Sequence, residues 1–215
     1  QLLKKISETK KPVILSTGAS TMDEIEEAVK ILDLGTQDIC IMQCNTNYTG
    51  SIKNINYQNL NVLKTFQKKW PKLILGLSDH TAGHSSVLGA ISFGARIVEK
   101  HFTDDNSRNG PDHSFSMNPE SWRLMVESAR ELESSLGIYE KKVEENEKET
   151  VVVQRRSIRL KFSKKTDEII ELTDLEFLRP CPENSFNPMD TNKIVGKKLV
   201  RDKMKGEEIY PEDLS

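Results

Sequence analysis

Two of the chain's four histidines each close an apolar run. His80 ends Leu73-Ile74-Leu75-Gly76-Leu77-Ser78-Asp79-His80, and His101 ends Ile97-Val98-Glu99-Lys100-His101. Short apolar runs that finish in Ser, Asp and His read as buried parallel strands whose C-terminal ends carry chemistry. Matching places on successive strands would bring both imidazoles to one mouth, where neutral ring nitrogens are good ligands for a divalent metal. The plainer alternative is that each is a buried, hydrogen-bonding histidine. His84 follows the helix-opening Gly83 and reads as structural. His113 lies in Asn109-Gly110-Pro111-Asp112-His113, where the Gly-Pro turn would hold Asp112 at the same mouth. By spacing, Asp112 could be a ligand, a base or a surface turn residue. Ser16, Thr17 and Gly18 end the first strand, and Asn45, Thr46, Asn47 and Tyr48 follow the second. Hydroxyls and amides arriving from several strand ends suit an oxygen-rich ligand such as a phosphate or a sugar.

The elements that must position these groups follow a strand-helix rhythm. The chain opens in what reads as the end of a helix, Leu2 to Ile6, so part of an upstream protein is expected to precede it. Val13 to Thr17 is a strand; Ser20 or Thr21 then caps a helix with Ile25, Ala28, Val29 and Leu32 on one face. Thr21 and Glu24 form a capping-box signature. Ile39 to Gln43 is the second strand, followed by a long polar loop and a helix near Gln58 to Lys69. Leu73 to Leu77 and Ile97 to Glu99 are the third and fourth strands, with a helix from about Gly83 to Phe93 between them. A last helix runs from Pro119 to about Leu136, with Pro119 in its first turn. Such units predict an α/β fold, a parallel sheet with helical crossovers, and four of them make half of an eight-fold barrel.

Composition shifts after Gly137. Residues 140–149 are mostly Lys and Glu, which reads as a solvated linker. The expected organisation is a half barrel over 1–138, a charged linker over 139–150 and a small β-rich domain over 151–215. Val151 to Val153, Ser157 to Phe162 and Ile194 to Leu199 are its β-rich pieces. With 31 basic and 33 acidic residues, the formal charge is −2, which implies neither a nucleic-acid footprint nor a polybasic membrane patch. No apolar run approaches the roughly 20 residues of a membrane span, and nothing resembles a signal peptide. A cytoplasmic protein is expected. Cys40, Cys44 and Cys181, odd in number and without a CxxC pair, are read as reduced.

Several strings together become recognisable: Ser16-Thr17-Gly18, Gln43-Cys44-Asn45-Thr46-Asn47-Tyr48, Gly76-Leu77-Ser78-Asp79-His80-Thr81, Val98-Glu99-Lys100-His101-Phe102 and Gly110-Pro111-Asp112-His113. In order and spacing they resemble the sialic acid synthase family, which includes N-acetylneuraminate synthase and its legionaminate and pseudaminate relatives. Arg155-Arg156-Ser157-Ile158 and Phe177-Leu178-Arg179-Pro180 resemble that family's antifreeze-like SAF domain. The fold implied is the C-terminal half of a TIM barrel followed by a β-rich SAF domain of the β-clip type. The activity implied is condensation of phosphoenolpyruvate with an N-acylated amino sugar, N-acetylmannosamine or a relative, to a nine-carbon 2-keto acid and phosphate. The methylene carbon of phosphoenolpyruvate attacks the open-chain aldehyde, water adds at the cationic C2, and phosphate leaves with C–O cleavage. The resemblance places a divalent metal, manganese foremost and magnesium or another divalent ion otherwise, between His80 and His101, where it polarises the aldehyde. It assigns the phosphate to Ser16, Thr46 and Ser78, and sugar contacts to Tyr48 and Asp112. Asp112 is also a candidate to move protons. Arg179 matches an arginine that reaches the sugar's N-acyl group from the SAF domain of a partner subunit, so a domain-swapped homodimer is implied.

The chain departs from the family pattern in three places. Arg179-Pro180 runs into Cys181-Pro182-Glu183-Asn184 instead of a Gly-rich turn. Thr46 stands where many relatives carry Asn or Ser, which leaves Asn45 as another source of the contact. The family's first four strands, with lysines that grip phosphoenolpyruvate and an acidic residue near the metal, have no counterpart in these 215 residues. The expected protein is therefore a fragment of a synthase, inert by itself, with exposed sheet edges and apolar helix faces. The alternative class is a non-catalytic sugar-binding or dimerisation module that retains the SAF domain.

Overall fold

Four runs of apolar and β-branched residues, too short for helices, form strands: Val13–Ser16 (β1), Ile39–Cys44 (β2), Ile74–Asp79 (β3) and Ala95–Lys100 (β4). The structure is a computed structural model and describes residues 1–33 and 38–215. The strands lie side by side in chain order, all parallel. Parallel neighbours require crossovers. Helices Met22–Asp33 (α2), Val62–Lys69 (α3) and Ser85–Ser92 (α4) supply them, while Leu2–Glu8 (α1) precedes the sheet and Pro119–Leu136 (α5) follows it.

The helix ends follow local chemistry. Glu24 N–H donates to Thr21 Oγ1 at 3.4 Å, while Glu24 Oε2 accepts from Thr21 N–H at 2.7 Å, closing the capping box. Asn118 caps α5 by accepting from Ser121 N–H at 2.9 Å, and Pro119 occupies the first turn, where a missing donor costs nothing. Ile25 and Val29 of α2, Leu63 and Phe66 of α3, and Val87 and Ala90 of α4 pack on Ile41, Leu75 and Leu77. Side chains alternate along a strand. The opposite face is therefore built from Ile14 and Ser16, from Cys40, Met42 and Cys44, from Gly76, Ser78 and His80, and from Ile97, Glu99 and His101. Within this sheet β1 and β4 each pair on one side only, and Ile14 is 57% exposed.

The chain divides into two compact units, Gln1–Ile138 and Tyr139–Ser215. In the second, Ser157–Leu160 (β5) and Leu175–Leu178 (β6) pair antiparallel. Single bridges join Arg159 to Glu208, Lys164 to Lys203, Ile169 to Lys198 and Leu199 to Leu214. Its core holds Ile158, Leu160, Ile170, Leu175, Ile194, Leu199 and Ile209. Asp213, fully buried, accepts from Lys203 Nζ and from Arg201 Nε at 2.6 Å.

The structure corrects three expectations. Val151 to Val153 is helical, inside Lys148–Gln154 (α6), which itself begins within the segment read as a linker. Glu147 Oε2 accepts from Glu144 N–H at 3.1 Å, and the Lys, Glu and Gln around the three valines are good helix formers. Local propensity thus carries the β-branched residues along. Ile194 ends a short helix, Thr191–Ile194 (α7), and only Lys198 and Leu199 of the expected 194–199 strand form bridges. The helix expected from Gln58 starts at Val62, after a 3-10 turn over Ile52–Tyr57 that the polar sequence did not signal.

Candidate active site

His80 and His101 lie one residue beyond the last rung of the β3–β4 ladder, which pairs Asp79 with Lys100. Their ring centroids are 5.0 Å apart at 65°. His80 is 4% exposed, and its Nδ1 sits 2.9 Å from the Asn45 carbonyl oxygen. A carbonyl only accepts, so Nδ1 carries the proton and Nε2 keeps its lone pair. This is the tautomer a metal ligand needs, fixed from behind by a neighbouring strand end. Burial pushes the His80 pKa below the ordinary histidine value, and charge on His101 pushes the same way; the Asn45 carbonyl, Asp79 and Glu99 pull against them.

Asp112 Oδ2 lies 3.4 Å from His101 Nδ1, so the Gly110-Pro111 turn brings that carboxylate to the mouth. The Tyr48 ring stands 4.3 Å from His80 and 5.5 Å from His101, and Phe115 backs His101 at 5.3 Å. Tyr48, His80, His101 and Asp112 therefore come together. Two imidazoles on one divalent ion, with metal–nitrogen bonds of about 2.1 Å, have centroids roughly 5 Å apart at tetrahedral or octahedral angles. The observed separation fits that arrangement. Among the described residues no group of three or more His, Cys, Asp or Glu side chains is gathered for a metal, so this chain offers the pair alone.

The expected phosphate residues are spread along the same face. Ser78, 2% exposed, donates to Glu99 Oε1 at 2.9 Å, so its proton is already directed at a carboxylate. Ser16 is exposed, with its hydroxyl 3.7 Å from Met42 Sδ. Thr46, also exposed, packs where Gly18 leaves room; a Cβ on residue 18 would come within 2.9 Å of Cys44 Sγ and closer still to the Thr46 methyl. An open cleft of about 590 Å³ runs past Cys44, Asn45, Thr46 and Tyr48. Asn54, buried in the 3-10 turn, holds the Asn47 carbonyl at 3.3 Å and so fixes the loop that carries Tyr48.

Arg179 belongs to the second unit, exposed one residue past β6. The loop after it lacks the expected glycine, and Asn184 takes the left-handed conformation instead, at φ +64°, which Asn tolerates better than most residues. Pro180 O accepts from Ser157 Oγ at 2.8 Å, which anchors the start of that loop.

Sequence reasoning missed three participants. Glu99 was legible in principle, because period two puts it on the same face as His101. Cys44 shares that face with Ser78, and its Sγ lies 3.9 Å from His80 Nδ1. Burial raises its thiol pKa, so it is packing rather than a nucleophile. The Asn45 carbonyl gave no signal, since main-chain acceptors are not encoded in residue type.

Comparison with known proteins agrees with this architecture. The chain is 33% identical to an N,N'-diacetyllegionaminic acid synthase of Campylobacter jejuni over 198 residues, covering 91% of this chain and 58% of that one. It is 27% identical to human N-acetylneuraminate-9-phosphate synthase, covering 92% and 54%. It thus spans little more than half of either. The crystal structure of a spore coat polysaccharide biosynthesis protein E from Chromobacterium violaceum matches all of this chain and 63% of its own, with a TM-score of 0.72 at 22% identity, a likeness of fold. A sialic acid synthetase structure from Leptospira borgpetersenii matches 70% of this chain and 51% of its own, with a TM-score of 0.63 at 29% identity. The model of the NeuB family matches residues 1–141, and the chain belongs to that family, the sialic acid synthases.

Proposed function

We propose that this chain is the part of a NeuB-family synthase that grips the sugar aldehyde and one side of phosphoenolpyruvate. The reaction is condensation of phosphoenolpyruvate with an N-acylated amino sugar, giving a nine-carbon 2-keto acid and phosphate. The observation that carries this reading is the His80–His101 pair, 5.0 Å apart, with the His80 tautomer set by Asn45. His80 and His101 would hold a divalent ion, with manganese as the first choice; bound there, it supplies Lewis-acid polarisation of an aldehyde oxygen. The relatives' names, legionaminic acid and N-acetylneuraminate-9-phosphate synthases, support a product of the sialic acid class.

The remaining roles belong to this chain's own groups. Asp112 steadies His101 through Nδ1 and faces the sugar hydroxyls from the same loop. Tyr48 walls the site against both imidazoles. Ser16, Thr46 and Ser78 offer hydroxyls to the phosphate; for Ser78 this requires its hydroxyl to turn away from Glu99. Half of a barrel is proposed for residues 1–138 and a SAF domain for the second unit, with Arg179 reaching the N-acyl group of a sugar bound to the partner of a homodimer.

The test is manganese titration and phosphate release by the full-length protein. His80→Ala and His101→Ala should each abolish metal-dependent turnover and weaken manganese binding at least tenfold. Wild-type binding and turnover in either variant would defeat the assignment. The 215-residue chain alone should release no phosphate.

A further inference from the structure

Directly behind the histidine pair, on the helix-facing side of the sheet, lies a closed polar cluster that the reaction above does not use. Lys100 Nζ donates to Asp79 Oδ2 at 2.7 Å and to the Thr81 carbonyl at 2.6 Å. Asp79 Oδ1 accepts from Thr81 N–H at 2.8 Å and from Thr81 Oγ1 at 2.7 Å, and that hydroxyl lies 3.3 Å from Ser86 Oγ of α4. The Lys100 and Asp79 side chains are 2% and 0% exposed.

Such a pair is a poor source of stability, because desolvating two charges offsets most of their attraction, and apolar residues of similar volume often do as well. Its geometry is more telling than its energy. Asp79 immediately precedes His80, and Lys100 immediately precedes His101. The β3–β4 ladder ends at the Asp79–Lys100 rung, so no rung joins His80 to His101 directly; the His101 carbonyl accepts instead from Met117 N–H at 2.8 Å, which leaves the spacing between the two histidines to other contacts. The ammonium instead binds the residues on both sides of His80, Asp79 through its side chain and Thr81 through its carbonyl, while its own backbone leads into His101. Each histidine is thereby tied to the other through three side chains and one carbonyl, all buried.

We propose that Asp79, Lys100 and Thr81 are positioning residues that set the His80–His101 separation, and so the affinity of the site for a divalent cation. This rests on the reading of the two histidines as one ligand site. Manganese alone serves as the probe, titrated calorimetrically into the full-length protein and three variants. Asp79→Leu combined with Lys100→Met strips the buried Thr81 N–H and carbonyl of their partners and so lowers the melting temperature; in the protein that remains folded it should weaken manganese binding ten- to a hundredfold, as loss of supporting contacts around metal ligands does. Thr81→Val, which keeps the shape and removes one hydroxyl, should weaken it severalfold. A merely structural role predicts a lowered melting temperature with wild-type affinity in the folded protein. Wild-type affinity in the double variant, or in Thr81→Val should the double variant not fold, overturns the inference. His80→Ala separates the two ideas. If it abolishes binding while the double variant binds normally, only the positioning role fails; if it binds like wild type, the ligand reading fails and the positioning role with it.

Discussion

Replacing Gly76 by alanine tests whether the strand spacing beneath the site is as tight as the structure requires. Gly76 lies on the same face of β3 as Ser78 and His80, beside a register irregularity where Leu75 pairs with Ala95 but Gly76 pairs with Ile97. A Cβ there would sit 2.9 Å from the Ile97 carbonyl oxygen, 2.9 Å from Met42 Cγ and 3.0 Å from Cys40 Sγ. Those distances fall about 0.5 to 1 Å short of favourable nonbonded contact. Met42 and Cys40 are buried at 0% and 2% exposure, and the third neighbour is main chain, so none can swing into solvent. Overpacking of this kind costs about 1 to 3 kcal/mol, reduced by the roughly 0.5 kcal/mol that alanine gains over glycine within a strand. For a unit of 138 residues, each kcal/mol shifts Tm by roughly 3 to 5 °C. Calorimetric melting should therefore show the variant about 2 to 12 °C below wild type. Because the strain pushes β3 from β4, manganese affinity should fall as well. A Tm equal to or above wild type would refute the reasoning, since it would mean that β4 yields without cost.

Other outcomes follow from the same structure. For Asp213, burial by itself would raise the pKa, but Lys203, the Tyr210 amide and Arg201 outweigh it and hold the carboxyl below its usual value. A lowered folded-state pKa stabilises fully above the unfolded value of about 3.9 and is lost as pH falls through the folded one. Acid titration of Asp213→Asn should accordingly show a shallower loss of stability below pH 4 than wild type, and identical slopes would contradict the pairing. Burial pushes the Cys40 thiol up to about 11. Native protein at pH 8 should leave Cys40 unlabelled by a thiol reagent until unfolded; rapid native labelling, located by peptide mapping, would show the thiol accessible. Arg179→Ala in the full-length protein should raise the sugar KM and leave kcat nearly unchanged, and an unaltered KM would remove Arg179 from the sugar site.

What was legible along the chain was local. Short apolar runs closing in polar residues placed His80 and His101 at strand ends, and Thr21 with Glu24 announced the start of α2. Pro119 marked the start of α5 at the residue where it begins. These signals survive because each depends on neighbours within a turn or a strand. The same locality misled at Val151 to Val153, where β-branched residues read as a strand although the surrounding Glu and Lys favour a helix.

The sequence by itself determined the parallel α/β order, the strand ends at which the candidate residues lie and, through GLSDHT, EKHF and GPDH together, the family. Only the tertiary structure decided which groups act on one another. The Asn45 carbonyl sets the tautomer of a histidine 35 residues away, and Lys100 spans 21 residues to bracket His80 between Asp79 and Thr81. Glu99 accepts a hydrogen bond from the Ser78 hydroxyl across the same interval. The physical reason is that residue type and spacing specify which side of a strand a group faces, whereas hydrogen-bond partners across strands are chosen by register, twist and burial, which exist only once the sheet has formed.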